Sequence, residues 1–379
     1  MKKCTQCALP GVCPGIAFDS KGICNVCHDF NQQWGRFKRE EASRKENLER
    51  IFNSYRNKDR KYDCLVPISG GFESTYVLYV CRRIYNLRTM AFNFNNGFQS
   101  EIARQNIESA VKKLEVDFVS SGPTWEKAKR LYALFFKKTG EFCTPCNLGI
   151  WSASYKIARD QGIPLIVAGS SNRISERLPR GSRTYSWSPS YFRQVIRGEM
   201  PAKDVKEYLW LPEGFHNSSL RKILHHLPSE KITILPFFDY IDWDINTILK
   251  TLEEEVGWKK LGDKFHHIDC IMEPVNDHLR QRKWGFSAAS WYSMLVRNEQ
   301  ISRHEALELT EKEEEKNTQE PPELELWLDM LKLSRKDLVG FERRNQSHYI
   351  PLQDKLRDAA DRVVGETVSH LPSQVANHL

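Results

Sequence analysis

The segment Ser69-Gly70-Gly71-Phe72-Glu73-Ser74-Thr75 gathers the residue types that grip a phosphate. Two glycines let the backbone approach an anion closely and turn its amide N–H groups toward it. Ser69, Ser74 and Thr75 add hydroxyl donors, and Glu73 adds a carboxylate. The segment lies between an apolar run, YDCLVPI, and a helical pattern, STYVLYVCRRIY, so a positive helix N-terminus should face the same anion. No Gly-Lys-Ser/Thr follows, which excludes a Walker A loop, and the segment does not read Gly-x-Gly-x-x-Gly, the dinucleotide pattern. The bland alternative is a Ser/Gly-rich turn joining strand to helix.

Cysteine is the second chemical signal. Six of the 10 cysteines form three Cys-x-x-Cys pairs, a usage that points to metal or redox chemistry rather than a disulfide scaffold. Cys4 and Cys7, then Cys24 and Cys27, have four-cysteine zinc ribbon spacing, and four thiolates close a tetrahedron around one ion. This stretch has few large aliphatics, so it needs the metal to fold, and its role reads as structural. Cys13 and His28 read as bystanders. Cys143 and Cys146 stand just before a helical pattern, where a helix dipole stabilises thiolates. They lack a second pair in sequence, and Cys270 is the third ligand that a fold could bring. A second metal, a redox pair and two packed thiols all stay open. Cys64 and Cys81 sit in apolar patterns and read as core.

Strand and helix patterns alternate from Tyr62 onward. Apolar runs at 62–68, 87–94, 116–120, 163–170 and 231–237 read as strands, with helical periodicity between them. Ser100 is the expected N-cap of the helix SEIARQNIESAVKKL. The alternation predicts an α/β fold, a parallel sheet with helices on both faces. The expected organisation is a zinc ribbon over 1–35, a linker helix over 36–60 and an α/β domain carrying the phosphate loop over 61–243. A helical region over 244–310 completes the site, and 311–379 form an acidic linker with a C-terminal helical hairpin. Ile301-Ser302 followed by Glu305 fits a capping box.

A basic insertion over 170–228 follows the fourth strand. Arg173, Arg177, Arg180, Arg183, Arg193 and Arg197 interleave there with Tyr185, Trp187, Tyr191 and Phe192, against the lone acid Glu176 in 173–197. Guanidinium forks grip phosphates and aromatic rings stack on sugars or bases. Arg173, Arg177 and Arg180 are therefore candidates for a substrate phosphate; a solvated basic face is the plain alternative. Asp269, Glu273, Asn276, Asp277 and His278 cluster around Cys270 and read equally as substrate contacts or surface.

The whole chain has 379 residues, 40% hydrophobic and 28% charged, with net charge +7. That is ordinary globular content, and the mild basicity neither demands nor excludes nucleic acid. No window approaches a membrane-spanning apolar run and the N-terminus has no secretory pattern, so a cytoplasmic protein without a membrane partner is expected.

The Ser-Gly-Gly-x-Glu-Ser loop resembles the PP-loop of ATP pyrophosphatases, with Glu73 where that signature carries Asp. The Cys-x-x-Cys ribbon, the loop, CTPC, HHIDCIMEPVNDHLRQRKWGFS and ISRHEALEL follow one another as in the N-acetyl sugar amidotransferase family, which the chain resembles over nearly its whole length. The resemblance implies an adenine nucleotide alpha hydrolase-like fold and an ATP-dependent enzyme of bacterial surface-polysaccharide or nonulosonic acid synthesis. Such an enzyme turns a sugar acetamido group into acetamidino, releasing AMP and pyrophosphate.

By that motif Glu73 and Ser74 are the catalytic candidates. Ser69, Gly70, Gly71, Glu73, Ser74, Thr75, Asn93 and Gly169 would bind ATP, with Mg²⁺ on the phosphates and Asn96 beside the adenine. The chain has no Gly-x-Cys-x-Gly and carries Lys2 at its second position, so ammonia is expected from a separate glutaminase subunit. The alternative is a PP-loop tRNA thiolase, with a [4Fe–4S] cluster on Cys143, Cys146 and Cys270 and tRNA as partner. A third reading is non-catalytic, with Glu73 disabling the loop in a nucleotide-sensing subunit.

Overall fold

A computed structural model describes residues 2–171, 173–176, 188–211, 232–262, 264–344 and 348–350. Its centre is a five-stranded parallel sheet in the order β3-β2-β1-β4-β5. The strands are β1 (Cys64–Pro67), β2 (Thr89–Phe94), β3 (Asp117–Ser121), β4 (Leu165–Ala168) and β5 (Thr233–Pro236). Alternate side chains of a strand point to opposite faces, and the core divides accordingly. Cys64 and Val66 join Ala91, Leu165 and Val167 in one cluster; Leu65 joins Phe92 and Ile166 in the other.

Helices cover both faces. After α1 (Asn25–Trp34) and α2 (Glu41–Tyr55), the first face carries α3 (Phe72–Tyr79), α4 (Glu101–Leu114) and a later helix at Ile245–Val256, which contribute Val77, Leu78, Ile107, Leu249 and Leu252. On the second lie α5 (Trp125–Thr139), α6 (Thr144–Asp160) and α7 (Pro189–Ile196), contributing Leu131, Phe135, Leu148 and Phe192. Ser100 caps α4 as expected, its Oγ accepting from the Ala103 N–H. Cys64 and Cys81 are fully buried core residues.

Strand order reverses between β1 and β4, and open α/β sheets bind ligands at such a switch point, beyond the carboxyl ends of the strands. The Ser69–Thr75 segment leaves β1 there, and Gly169 leaves β4 beside it. A Cβ on Gly169 would lie 3.0 Å from the Ser74 backbone nitrogen, so that glycine lets the two turns touch.

Three expectations change. The helix at Glu41–Tyr55 is more than a linker, because Leu48 and Phe52 enter the sheet core. The acidic stretch from Glu311 is not a linker either. It continues a helix, Arg303–Thr318, whose Ala306 and Thr310 are buried while most of its charges face water. Ser302 caps this helix, accepting from the Glu305 N–H. Among the described residues of 311–379, one helix (Glu323–Leu331) and two short 3₁₀ turns, Arg335–Leu338 and Phe341–Arg343, stand where the helical hairpin was expected, and 351–379 lie outside the described residues. Among the described residues no helix is long and apolar enough to cross a membrane.

The loop geometry hangs on Gly70. Its φ is +90°, and a Cβ there would come 2.3 Å from the Ala103 carbonyl oxygen. Its own carbonyl accepts from Trp258 Nε1 at 2.9 Å. Gly70→Ala is expected to lower unfolding stability in urea by about 2–4 kcal/mol, through strain and displaced backbone; unchanged stability would contradict this packing.

Candidate active site

Hydrogen bonds within the loop shape its turn. The Ser69 N–H donates to Ser74 Oγ at 3.2 Å, and the Gly71 N–H donates to Ser69 Oγ at 3.3 Å. Thr75 Oγ1 donates to the Gly71 carbonyl at 2.7 Å. A cavity of about 260 Å³ opens beside the turn. Ser69, Gly71, Phe72 and Glu73 form one wall; Phe265, His266, His267, Asp269 and Trp291 form the other. Burial lifts the Glu73 carboxyl to about 7, with Asp269 adding to the rise and His267 opposing it.

The second wall is sewn to the sheet by backbone. The Ser100 N–H donates to the Asp269 carbonyl at 3.2 Å and the Ile271 N–H to the Phe98 carbonyl at 2.9 Å, around an antiparallel bridge between Gln99 and Cys270. His267 has a left-handed backbone, φ 51°, a conformation that costs energy in a non-glycine residue. Its ring is held by Glu273 at 2.9 Å, with Glu176 at 3.6 Å. Glu176 also accepts from Arg280 at 3.1 Å and from Ser290 Oγ. Burial disfavours charge on His267, but Glu273 and Glu176 prevail and raise it to about 10. Burial likewise opposes charge on Glu273, and His267 brings it down to about 2. Desolvation and the neighbouring His267 cation depress the half-buried His266 to about 3, while burial and the charge of Glu273 push Asp277 up to about 7.

The ribbon cysteines meet as their spacing predicts. All four are buried and their sulfurs lie within 4.8 Å of one another, a donor set suited to one soft, tetrahedral ion. N–H groups of Gln6, Cys7 and Cys24 point at Cys4 Sγ, which is the pattern around a thiolate. Arg297, itself buried, approaches Cys7 Sγ at 3.7 Å, and Arg303 donates to the Cys4 and Cys7 carbonyls. Phe286 and Ala289 pack against the ribbon. The ribbon therefore braces the helix Ala289–Arg297, which carries Trp291 into the cavity wall.

Cys143, Cys146 and Cys270 also come together, at the rim of one apolar cluster. Cys146 Sγ accepts from Asn96 Nδ2 at 3.2 Å, and Cys143 Sγ donates to Asn276 Oδ1 at 3.7 Å. Among the described residues these three do not reach the mutual 4.8 Å spacing of the ribbon set. Burial raises the thiols, Cys143 and Cys270 well above their ordinary value and Cys146 to about 11, so the helix dipole does not win there.

Other expectations are corrected. Arg173 is not presented to a phosphate. It is 4% exposed, and its guanidinium donates to Asn298 and to the Phe238 and Ile241 carbonyls while lying over Phe37. Arg177 and Arg180 lie outside the described residues, as do Arg183, Tyr185 and Trp187. Asn93 is buried and donates to the Ile68 carbonyl at 2.9 Å, and Asn96 serves Cys146; both amides are committed within the protein. His278 is buried away from the cavity and bonds the Asn317 carbonyl. Residues that sequence reasoning missed are Phe265, His266, His267, Arg280 and Trp291. The available signal was the pair His266-His267, one residue short of Asp269 and Cys270.

Comparisons with known proteins bear on the second wall. Residues 259–358 match the family model described as LPS biosynthesis protein WbpG-like, C-terminal domain. This match supports the resemblance to N-acetyl sugar amidotransferases and a role in surface-glycan biosynthesis. An uncharacterized protein, MJ1599, of Methanocaldococcus jannaschii is 22% identical over 216 residues, 57% of this chain and 69% of that one. The U34-tRNA thiolase NcsA from Methanococcus maripaludis, solved with its [4Fe–4S] cluster, aligns at 15% identity over 94% of this chain and 91% of that chain, with a TM-score of 0.33.

The raised His267 gives a testable pH signature. Its contribution to stability is full below the unfolded-state value near 6.5 and is lost as pH rises through about 10. Glu273, shifted down, contributes above about 4.5, so it stays constant over that range. His267→Gln is expected to cost about 1–3 kcal/mol at pH 6 and progressively less toward pH 10. Urea unfolding at pH 6, 8 and 10 measures the gap, and a pH-independent gap would contradict the ion pair.

Proposed function

We propose that the protein is an ATP-dependent amidotransferase that converts the acetamido group of a sugar into acetamidino, forming AMP and pyrophosphate. One observation carries the reading: a single cavity joins the phosphate-type loop, through Ser69, Gly71 and Glu73, to His266, His267, Asp269 and Trp291 of the segment matched to a surface-glycan biosynthesis domain.

The triphosphate end of ATP lies against the Ser69–Thr75 turn and the N-terminus of α3, where backbone N–H groups and the helix dipole favour negative charge. A hard cation such as Mg²⁺ suits the Glu73 carboxylate and would offset phosphate charge. The acetamido oxygen attacks the α-phosphorus, pyrophosphate leaves, and the carbonyl oxygen becomes part of a leaving group. Ammonia then attacks the activated carbon and AMP departs. The chain's contribution is to position both substrates and to place charge where it develops. Protonated His267, fixed between Glu273 and Glu176, is a cation at the cavity wall able to face phosphate oxygens.

Zinc is the proposed ribbon metal. Bonds of about 2.3 Å in a tetrahedron set sulfurs about 3.8 Å apart, and Cys4–Cys27 and Cys7–Cys24 each lie at 3.9 Å. The ammonia source is proposed to be a glutaminase subunit. A second reading, sulfur insertion into a tRNA base, is favoured by the gathering of Cys143, Cys146 and Cys270 beside the sheet.

The deciding assay incubates the full chain with ATP, Mg²⁺ and ammonium, offering nucleotide-linked acetamido sugars or tRNA. AMP and pyrophosphate are expected in equal amounts only with a sugar, together with an acetamidino product. AMP formation that depends on tRNA would favour the thiolase reading, and no ATP turnover with either acceptor would leave the non-catalytic one.

A further inference from the structure

Beside the cavity lies a second, much smaller chamber of about 20 Å³. The two share His266, His267 and Trp291 as walls. Glu176, Asp277, Arg280, Ser287 and Glu313 also line the chamber. Such a volume holds one molecule the size of water, since a single probe sphere needs about 10–15 Å³. No sugar or nucleotide fits. Ammonia does, with a size close to that of water, three N–H donors and one lone pair.

The lining suits a neutral guest. Carboxylates of Glu176, Asp277 and Glu313 face Lys264, Arg280 and the His267 ring, so the charges largely cancel and no cation is concentrated. The acceptors are held in place: Ser290 Oγ donates to Glu176 at 2.5 Å and the Tyr292 hydroxyl donates to Glu313 at 2.6 Å. His266 stacks on Trp291 with ring centroids 4.9 Å apart, which holds the partition together.

We propose that this chamber holds the ammonia molecule that attacks the activated sugar in the adjoining cavity, passing it across the partition of His266, His267 and Trp291. The inference rests on the amidotransferase reading. In the step it serves, the ammonia lone pair forms the C–N bond and the C–O bond to AMP breaks. The acetamido nitrogen gives its own proton to the departing pyrophosphate on adenylation; AMP then leaves as its dianion, and the three ammonia hydrogens stay on the two product nitrogens as an amidinium ion. No further acid, base or oxidant is required.

The test separates the two half-reactions. Sugar-dependent pyrophosphate release without ammonia reports adenylation; amidine formation against ammonia concentration reports the chamber. Ala288→Val fills the chamber from its wall, and Glu313→Gln removes a carboxylate while keeping an acceptor for Tyr292. Both variants are expected to raise the KM for ammonia by at least about tenfold and to leave pyrophosphate release within about twofold of the parent. Methylamine is expected not to replace ammonia in the unaltered protein. If Ala288→Val does not fold, as judged by circular dichroism, Glu313→Gln decides. An unchanged ammonia KM in the folded variants, or a parallel loss of pyrophosphate release, would overturn the chamber's role while sparing the amidotransferase reading. No sugar-dependent pyrophosphate from the unaltered protein would overturn both.

Discussion

A short antiparallel stitch of backbone decides what this sheet can do. Residues 98–100, just past β2, pair with 268–271 through the Ser100–Asp269 and Phe98–Ile271 hydrogen bonds. Neither segment holds that course by itself, because both are irregular chain between regular elements. The pairing brings His267 and Asp269 to Glu73 and carries Cys270 to the cluster that holds Cys143 and Cys146. Without it, the β1 turn would be an anion cradle open to water. With it, the turn faces a wall bearing a fixed cation and an indole ring, and a partly enclosed site strengthens every charge interaction within it.

The wall needs support from behind, and the N-terminal ribbon supplies it. A four-thiolate site around a divalent ion carries net negative charge, and buried charge is stable only when partnered. Arg297 and Arg303 answer that need from the helix that bears Trp291 and from the one that follows it. Ser293 adds a hydroxyl that accepts from the Ala8 N–H at 3.1 Å. The metal site thus acts beyond the ribbon's own fold, because its electrostatics tie the first residues of the chain to the rim of the cavity.

Much of the fold was legible because it is written locally. The β1, β2, β4 and β5 segments are short apolar runs, Gly70 marks a turn whose positive φ and close backbone approach call for glycine, and the ribbon spacing names its own ligands. The site's second half was not legible, for a physical reason. Arg173 sits in a basic stretch and reads as a phosphate ligand, but Asn298 and the Phe238 and Ile241 carbonyls, all far along the chain, bury it. The acidic stretch near Glu313 reads as solvated linker by composition. Its helical register instead turns Glu313 toward Tyr292 and lets Glu314 accept from the Ala289 N–H. The charge of His267 depends on Glu176 and Glu273 meeting across the fold, which no window of sequence contains.

The central claim is that the acetamido oxygen attacks ATP and leaves with AMP. The most direct measurement follows that atom. A nucleotide-linked sugar carrying ¹⁸O in its acetamido carbonyl is turned over with ATP and ammonia, and the AMP is analysed by mass spectrometry. The account predicts one ¹⁸O in the phosphate of each AMP formed with an amidine. AMP free of label, with the amidine still produced, would contradict it.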